Sequence, residues 1–190
     1  MRADAQKNRD QLLTVARTVL TDQGADASLR DIARRAGVGL GTVQRHFPSR
    51  ESLYEALLRT SFDELTATAA VLGTADSAGD ALVSWLRDFV AVASNYRGVI
   101  SSMVHAIDDP ESALHASCVT MKAGGARLLA RAQAQGAART DIEGTDLYAL
   151  GGALAWVADQ PALAHRADHL FRVIADAILT DQANPHERPQ

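Results

Sequence analysis

The sequence predicts an all-α protein, and three observations carry that expectation. Apolar residues recur at helical spacing almost throughout, capping and turn-forming residues fall between the periodic segments, and the composition favours helix over strand. In a chain of 190 residues, of which 47% are hydrophobic and 22% charged, Ala (36) and Leu (21) far outnumber Val (13) and Ile (6). That length allows one domain, or a small module fused to a larger one.

The elements follow in order. A first helix begins near Asp4, carries the stripe Leu12, Leu13, Ala16, Val19 and Leu20, and ends before Gly24. Ser28 and Asp31 then offer an N-cap and an acid at the third helical position, although Asp reaches less far than the usual Glu. This second helix buries Leu29, Ile32, Ala33 and Ala36 and stops at Gly37. Gly37-Val38-Gly39 makes a tight connection to a third helix over about 40–47, with Val43 and Phe47 facing inward. Pro48 cannot continue it, and Ser49 caps a fourth that runs through Leu53, Leu57, Leu58, Phe62 and Leu65 towards residue 71.

Ser77 with Asp80 repeats the capping pattern ahead of a fifth helix, whose stripe Leu82, Trp85, Leu86, Phe89, Val92, Ala93 and Tyr96 is the widest in the chain. A sixth segment reaches about Ile107. Pro110, flanked by acids, fits the first position of a long seventh helix that extends to Gly136, and Gly124-Gly125 leave a kink and a break equally open. Leu147, Leu150, Leu154 and Val157 mark an eighth helix ended by Pro161, and Leu170, Val173, Ile174, Ala177 and Ile178 mark a ninth over roughly 165–181. The tail 184–190, with two prolines, reads as frayed. About nine helices result.

Charge divides the chain. The formal net charge is −4, yet residues 1–60 hold ten Lys and Arg against seven acids, and between positions 30 and 50 Arg30, Arg34, Arg35, Arg45 and Arg50 face only Asp31. A basic patch on an acidic body points to nucleic acid at one end of the molecule. For Arg34 and Arg35 an ordinary solvated face explains the charge equally well.

Other function classes find little support. The single cysteine, Cys118, cannot form an intramolecular disulfide, and the first residues contain no apolar signal core. No run approaches the roughly 18 apolar residues needed to span a bilayer, so no membrane partner and a cytoplasmic location are expected. The sequence contains no G-x-S-x-G, no H-E-x-x-H, no Walker phosphate loop and no dinucleotide-binding glycine fingerprint, so no catalytic residue and no cofactor are assigned. His165 and His169, with Asp168 between them, stand at a spacing that can hold a metal, as can His105, Asp109 and His115 around Pro110. Most such pairs on exposed helices bind nothing, and no metal site is assigned.

The pair of short helices joined by a glycine turn has the form of a helix-turn-helix whose second helix enters the major groove. Opposite Val43 and Phe47 on that helix lie Leu40, Gly41, Thr42, Gln44, Arg45 and His46. Gln can pair bidentately with adenine and Arg with guanine, Thr can meet a phosphate or a thymine methyl, and Gly41 lets the backbone come close.

The run from Ser28 through Gly37-Val38-Gly39, Thr42, His46-Phe47-Pro48 and Glu51 to Leu53 closely resembles the DNA-binding signature of TetR-family transcriptional regulators, and the likeness covers roughly residues 9–58. The resemblance implies a homodimer that binds a pseudo-palindromic operator in double-stranded DNA through residues 1–49. It also implies that residues 50–190 form a larger helical domain for dimerisation and for a small-molecule effector that releases the operator. A repressor is the expected direction. A regulator governed by a protein partner or by abundance is the alternative. By the same resemblance Ser28 and Thr42 correspond to phosphate contacts, His46 to a backbone contact, and Arg50 to a basic residue that meets a phosphate. Gln44 departs from the pattern, since the family usually has Tyr there, so an amide able to read a base edge replaces an aromatic backbone contact.

In that family the helices bearing Trp85, Phe89, Met103, Met121 and Trp156 line the effector cavity, with His105 as a candidate polar anchor. Each of these large residues is also an ordinary core residue by its spacing. For dimerisation, Gly151-Gly152-Ala153 and Ala155 permit close helix approach beside Leu147, Leu150 and Leu154, and Leu170, Ile174 and Ile178 share a face of the last helix. Two helices from each chain then form a four-helix interface.

Overall fold

Helical spacing becomes ten α-helices among the residues that the computed structural model describes, 2–24 and 27–180. They are α1 (Arg2–Gln23), α2 (Leu29–Arg35), α3 (Leu40–His46), α4 (Arg50–Leu72), α5 (Ala78–Asn95), α6 (Arg97–Ser102), α7 (Val104–Asp108), α8 (Ala113–Ala134), α9 (Gly144–Ala158) and α10 (Ala167–Ile178). A 3₁₀ turn (Ala164–Arg166) precedes α10. Among the described residues β-pairing is limited to an isolated antiparallel bridge between Ala138 and Leu179, and no helix is long and apolar enough to cross a membrane. The expected tail 184–190 and the expected last helical residue, Asp181, lie outside the described residues.

Packing divides the chain into two compact units, Met1–Glu64 with Val92–Thr120 and Leu65–Ala91 with Met121–Gln190. In the first, Leu12, Ala16, Val19 and Leu20 of α1, Ile32 of α2, Val43 of α3 and Leu53, Leu57 and Leu58 of α4 are buried. Tyr96, Val99, Met103 and Leu114 bury their side chains in the same unit. The sixth segment, read as one element, is two helices: Met103 leaves the helical conformation at φ −108°, ψ 8°. No Gly or Pro marks that break, so periodicity runs straight through it.

Two further boundaries shift for a definable reason. Helix α8 starts at Ala113 rather than Pro110, because the Ser112 hydroxyl accepts the His115 N–H (3.1 Å) and so supplies the N-cap, while the Asp109 carboxylate accepts the Glu111 N–H (3.0 Å) in the turn before it. Helix α9 starts at Gly144 under a capping box in which the Glu143 side chain caps the first turn and the Asp146 carboxylate accepts the Glu143 N–H at 2.8 Å. The expected caps at Ser49 and Ser77 are present, accepting the N–H of Ser52 (3.1 Å) and of Asp80 (3.2 Å).

In the second unit α8 continues unbroken through Gly124-Gly125. Trp85 is fully buried there, its indole N–H donating to the Leu65 carbonyl at 2.9 Å. Its ring stacks on Phe89 (centroids 5.7 Å, 3°) and meets Tyr148 edge-on (6.2 Å, 82°). Arg131 donates to the carbonyls of Leu72 and Ala75, closing the C-terminal end of α4. After α10 the chain is held by the Arg139 N–H to Ile178 carbonyl bond (3.0 Å) and the Thr180 N–H to Ala137 carbonyl bond (3.1 Å).

Candidate nucleic-acid interface

Both ends of α2 are fixed by local chemistry. Ser28 is extended (φ −93°, ψ 154°); its hydroxyl accepts the Asp31 N–H at 3.1 Å and donates to the Asp31 carboxylate at 2.5 Å. These bonds, with a weaker one from the Ser28 N–H, hold the Asp31 carboxyl below the usual carboxylate range. At the other end Gly37 takes φ +67°, and the Val38 N–H to Ala33 carbonyl (3.0 Å) and Gly37 N–H to Arg34 carbonyl (3.3 Å) bonds form a Schellman motif. That turn redirects the chain into α3.

Helix α3 is pinned by Val43 and Phe47, 0% and 1% exposed. Phe47 is its C-cap and already extended (φ −135°, ψ 91°), as expected of a residue before Pro48. With those two side chains inward, Gly41, Gln44 and Arg45 are exposed, and Thr42 and His46 are half-buried. The Arg45 Nε–H donates to the Gly41 carbonyl at 3.2 Å, laying the side chain along the helix. A Cβ on Gly41 would meet nothing within 4 Å, so the fold does not demand glycine there and its effect is to keep the surface low.

The remaining predicted residues divide by what already engages them. The Ser28 hydroxyl is used as a cap. Half-buried Arg50 opens α4 with its guanidinium over the Tyr54 ring (5.6 Å). Arg34 pairs with Asp31 (3.2 Å) and Arg35 with Asp22 of α1 (2.5 Å), which fits the solvated-face reading of those two. The local charge count overstated the patch because Asp22 lies outside the window 30–50. Arg9 of α1, which the sequence reading passed over, places its guanidinium 5.2 Å above the Phe47 ring. No spacing rule links α1 to the end of α3, so this contact has no local signature.

A family model described as bacterial regulatory proteins, tetR family, matches residues 12–57, and one described as transcriptional regulator SbtR-like, C-terminal domain, matches residues 77–178, more than half of the chain. The chain belongs to the TetR family of DNA-binding transcriptional regulators. The crystal structure of the TetR regulator SCO0520 from Streptomyces coelicolor is similar over 91% of this chain and 99% of that one, with 30% identity and a TM-score of 0.73. LfrR from Mycobacterium smegmatis, solved in complex with proflavine, is 25% identical over 92% of this chain and 98% of its own, with a TM-score of 0.65. The transcriptional repressor KstR2 of Mycolicibacterium smegmatis is 35% identical over 95 residues, 48% of this chain and 46% of that protein. The chain spans less than half the length of the curated relatives it matches. Family and relatives are regulators rather than enzymes, in agreement with the catalytic motifs missing from the sequence.

Within this TetR-family chain the six residues named for an effector site are divided between the two units. Trp85 and half-buried Phe89 stand together with Tyr148, which the sequence did not single out, and Met121 is buried in the same unit. Trp156 is 53% exposed, while buried Met103 and exposed His105 belong to the other unit.

The residues named for dimerisation mostly serve the subunit's own core. Leu147, Leu154, Ala155 and Ile178 are buried, Gly151 abuts Phe89, and Leu170 and Ile174 are half-buried. Of the small residues named for close helix approach, Gly152 and Ala153 are exposed, and the outward surface of α9 and α10 also carries Trp156 and Val173 (49% exposed) among polar residues such as Asp168, His169, Arg172 and Asp176. The most apolar stripe of a helix is the one its own subunit buries first, so spacing alone selected the inner face.

His165 sits in the 3₁₀ turn and His169 in α10, so the pair does not share one continuous α-helix, and the His115 Nδ1 lies 2.8 Å from the Ile107 carbonyl. Among the described residues no three His, Cys, Asp or Glu side chains are grouped to hold a metal ion.

Proposed function

We propose that this TetR-family regulator is a homodimeric repressor that binds a palindromic operator through α3 and is released by a small-molecule effector. The observation that carries the reading is the division of α3 into a buried pair, Val43 and Phe47, and an exposed pair, Gln44 and Arg45. In this reading the inner pair fixes the helix on the module while the outer pair reads base edges, with Gly41, Thr42, His46 and Arg50 against the sugar-phosphate backbone. The Ser28 hydroxyl caps α2 and contributes through the position it gives that helix.

Residues 1–49 form the DNA-binding segment and residues 50–190 the effector and dimerisation segment. The exposed Trp156 supports association through α9, because aromatic side chains are enriched where subunits meet. The repressor name of KstR2 supports the direction of regulation, and proflavine on LfrR supports an aromatic effector. An effector acts only by binding one spacing of the paired α3 helices better than the other.

Selection of bound sequences from random duplex DNA tests this. The expected product is a pseudo-palindrome with half-site centres about 10 base pairs, or a multiple of one helical turn, apart. Recovery of no enriched motif overturns the operator reading, and an asymmetric single site overturns the paired one.

A further inference from the structure

The arginines of the N-terminal helices differ in what neutralises them. Arg17 pairs with Glu64 (3.1 Å), Arg34 with Asp31 (3.2 Å) and Arg35 with Asp22 (2.5 Å). Arg9 has no carboxylate among the described residues within ion-pair distance, and the nearby Asp10 carboxylate accepts the Gln6 amide at 2.8 Å. What Arg9 has instead is the face of Phe47, 5.2 Å from its guanidinium carbon. An aromatic face attracts the cation without cancelling its charge.

That contact fixes where the charge stands. Phe47 is 1% exposed and caps α3, and the neighbouring His46 ring lies 6.4 Å from it. A half-buried Arg9 resting there delivers a full positive charge to the C-terminal end of the recognition helix. A guanidinium with one face covered keeps its N–H donors in its own plane, free to meet a planar or tetrahedral oxyanion, and phosphate is the oxyanion a duplex presents at the groove margin.

We propose that Arg9 is a phosphate-binding residue of the DNA interface, contributed by α1 from outside the helix-turn-helix and positioned by the Phe47 ring. The proposal rests on the DNA-binding reading of α3. A purely structural role, shielding Phe47 from water, would affect folding and leave the ionic component of binding unchanged.

The test measures the salt dependence of binding for the wild-type chain, Arg9→Gln and Arg9→Lys, on the selected duplex and on a random duplex of equal length, with thermal melting of each protein alongside. The expected result is that Arg9→Gln lowers the slope of log K against log salt by about 0.9 per bound chain and weakens both duplexes by a similar factor, while Arg9→Lys keeps the wild-type slope. A slope unchanged in Arg9→Gln, with or without a fall in melting temperature, overturns the assignment. Failure of the wild-type chain to bind either duplex is a separate result, which removes the reading of α3 and this residue's role with it.

Discussion

Gly125 on α8 lies so close to the Trp85 indole that a Cβ there would sit 2.4 Å from Cη2 and 2.5 Å from Cζ3. The same Cβ would be 2.7 Å from the Tyr148 hydroxyl. Neither ring can easily retreat: the Trp85 N–H is bonded to the Leu65 carbonyl at 2.9 Å and the Tyr148 hydroxyl donates to the Lys122 carbonyl. Replacing a mid-helix Gly by Ala gains about 1 kcal/mol of helix propensity, whereas forcing a methyl into a filled core costs about 1 to 3 kcal/mol. The steric cost wins because the obstructing atoms belong to a tethered ring. Gly125→Ala should therefore lower unfolding free energy by up to about 2 kcal/mol in a denaturant titration. A midpoint that rises instead would mean that the indole shifts.

Gly125 also marks where sequence reasoning stops. Apolar period and cap residues located α1 to α5 and the turn at Gly37, because the forces that form them act within a few residues. Whether a Gly pair breaks a helix depends on what faces it, and Trp85 is remote in sequence. The same limit explains the dimer residues. Leu147 and Leu154 stand out by spacing, yet that regularity places them in the subunit's own interior and leaves Trp156 outside. At the DNA interface, residue type and helix face named Gln44 and Arg45, while the neutralisation of Arg35 by Asp22 and the seat of Arg9 on Phe47 required the crossing of helices.

The cap at Ser28 gives a pH-dependent prediction. Its hydroxyl is the chief reason that the Asp31 carboxyl titrates below its ordinary value, so the folded state holds the carboxylate more strongly than the unfolded chain does. A depressed folded pKa contributes stability above the unfolded value, near 3.8, and loses it as pH falls through the lower folded one. Ser28→Ala should cost about 1 kcal/mol at neutral pH, and the difference from wild type should shrink at pH 3 and below as Asp31 protonates. Parallel stability curves from pH 7 to pH 2.5 would show that the two groups are not coupled.

Gln44 and Arg45 should separate specificity from affinity. Both are exposed on α3, and neither is held by an ion pair among the described residues. Losing a bidentate base contact costs about 1 to 3 kcal/mol of discrimination, or roughly five- to 150-fold, at the contacted base pair. Gln44→Ala should weaken the selected operator by that factor while leaving random duplex almost unaffected. Equal losses on both would reassign Gln44 to the backbone. Arg34→Gln should change operator affinity by less than about twofold, since its charge is already paired with Asp31 at 3.2 Å.

Trp156 carries the dimer prediction because its position separates folding from association. At 53% exposure on α9 it contributes little to the subunit's core, whereas truncating buried Leu147 on the same helix to Ala costs about 2 to 5 kcal/mol of folding stability. An interfacial Trp near the centre of a patch is worth about 2 kcal/mol or more, and a symmetric dimer loses it from both subunits, so the dimer dissociation constant should rise about 30-fold to a thousandfold. Trp156→Ala should thus shift the sedimentation profile towards monomer at micromolar concentration with the helical circular dichroism intact. Binding to a two-half-site operator should fall in step, because each free subunit then meets its half-site alone, while binding to a single half-site should stay the same. Wild-type sedimentation in the variant would place the contact surface elsewhere on the chain and leave Trp156 exposed for another reason.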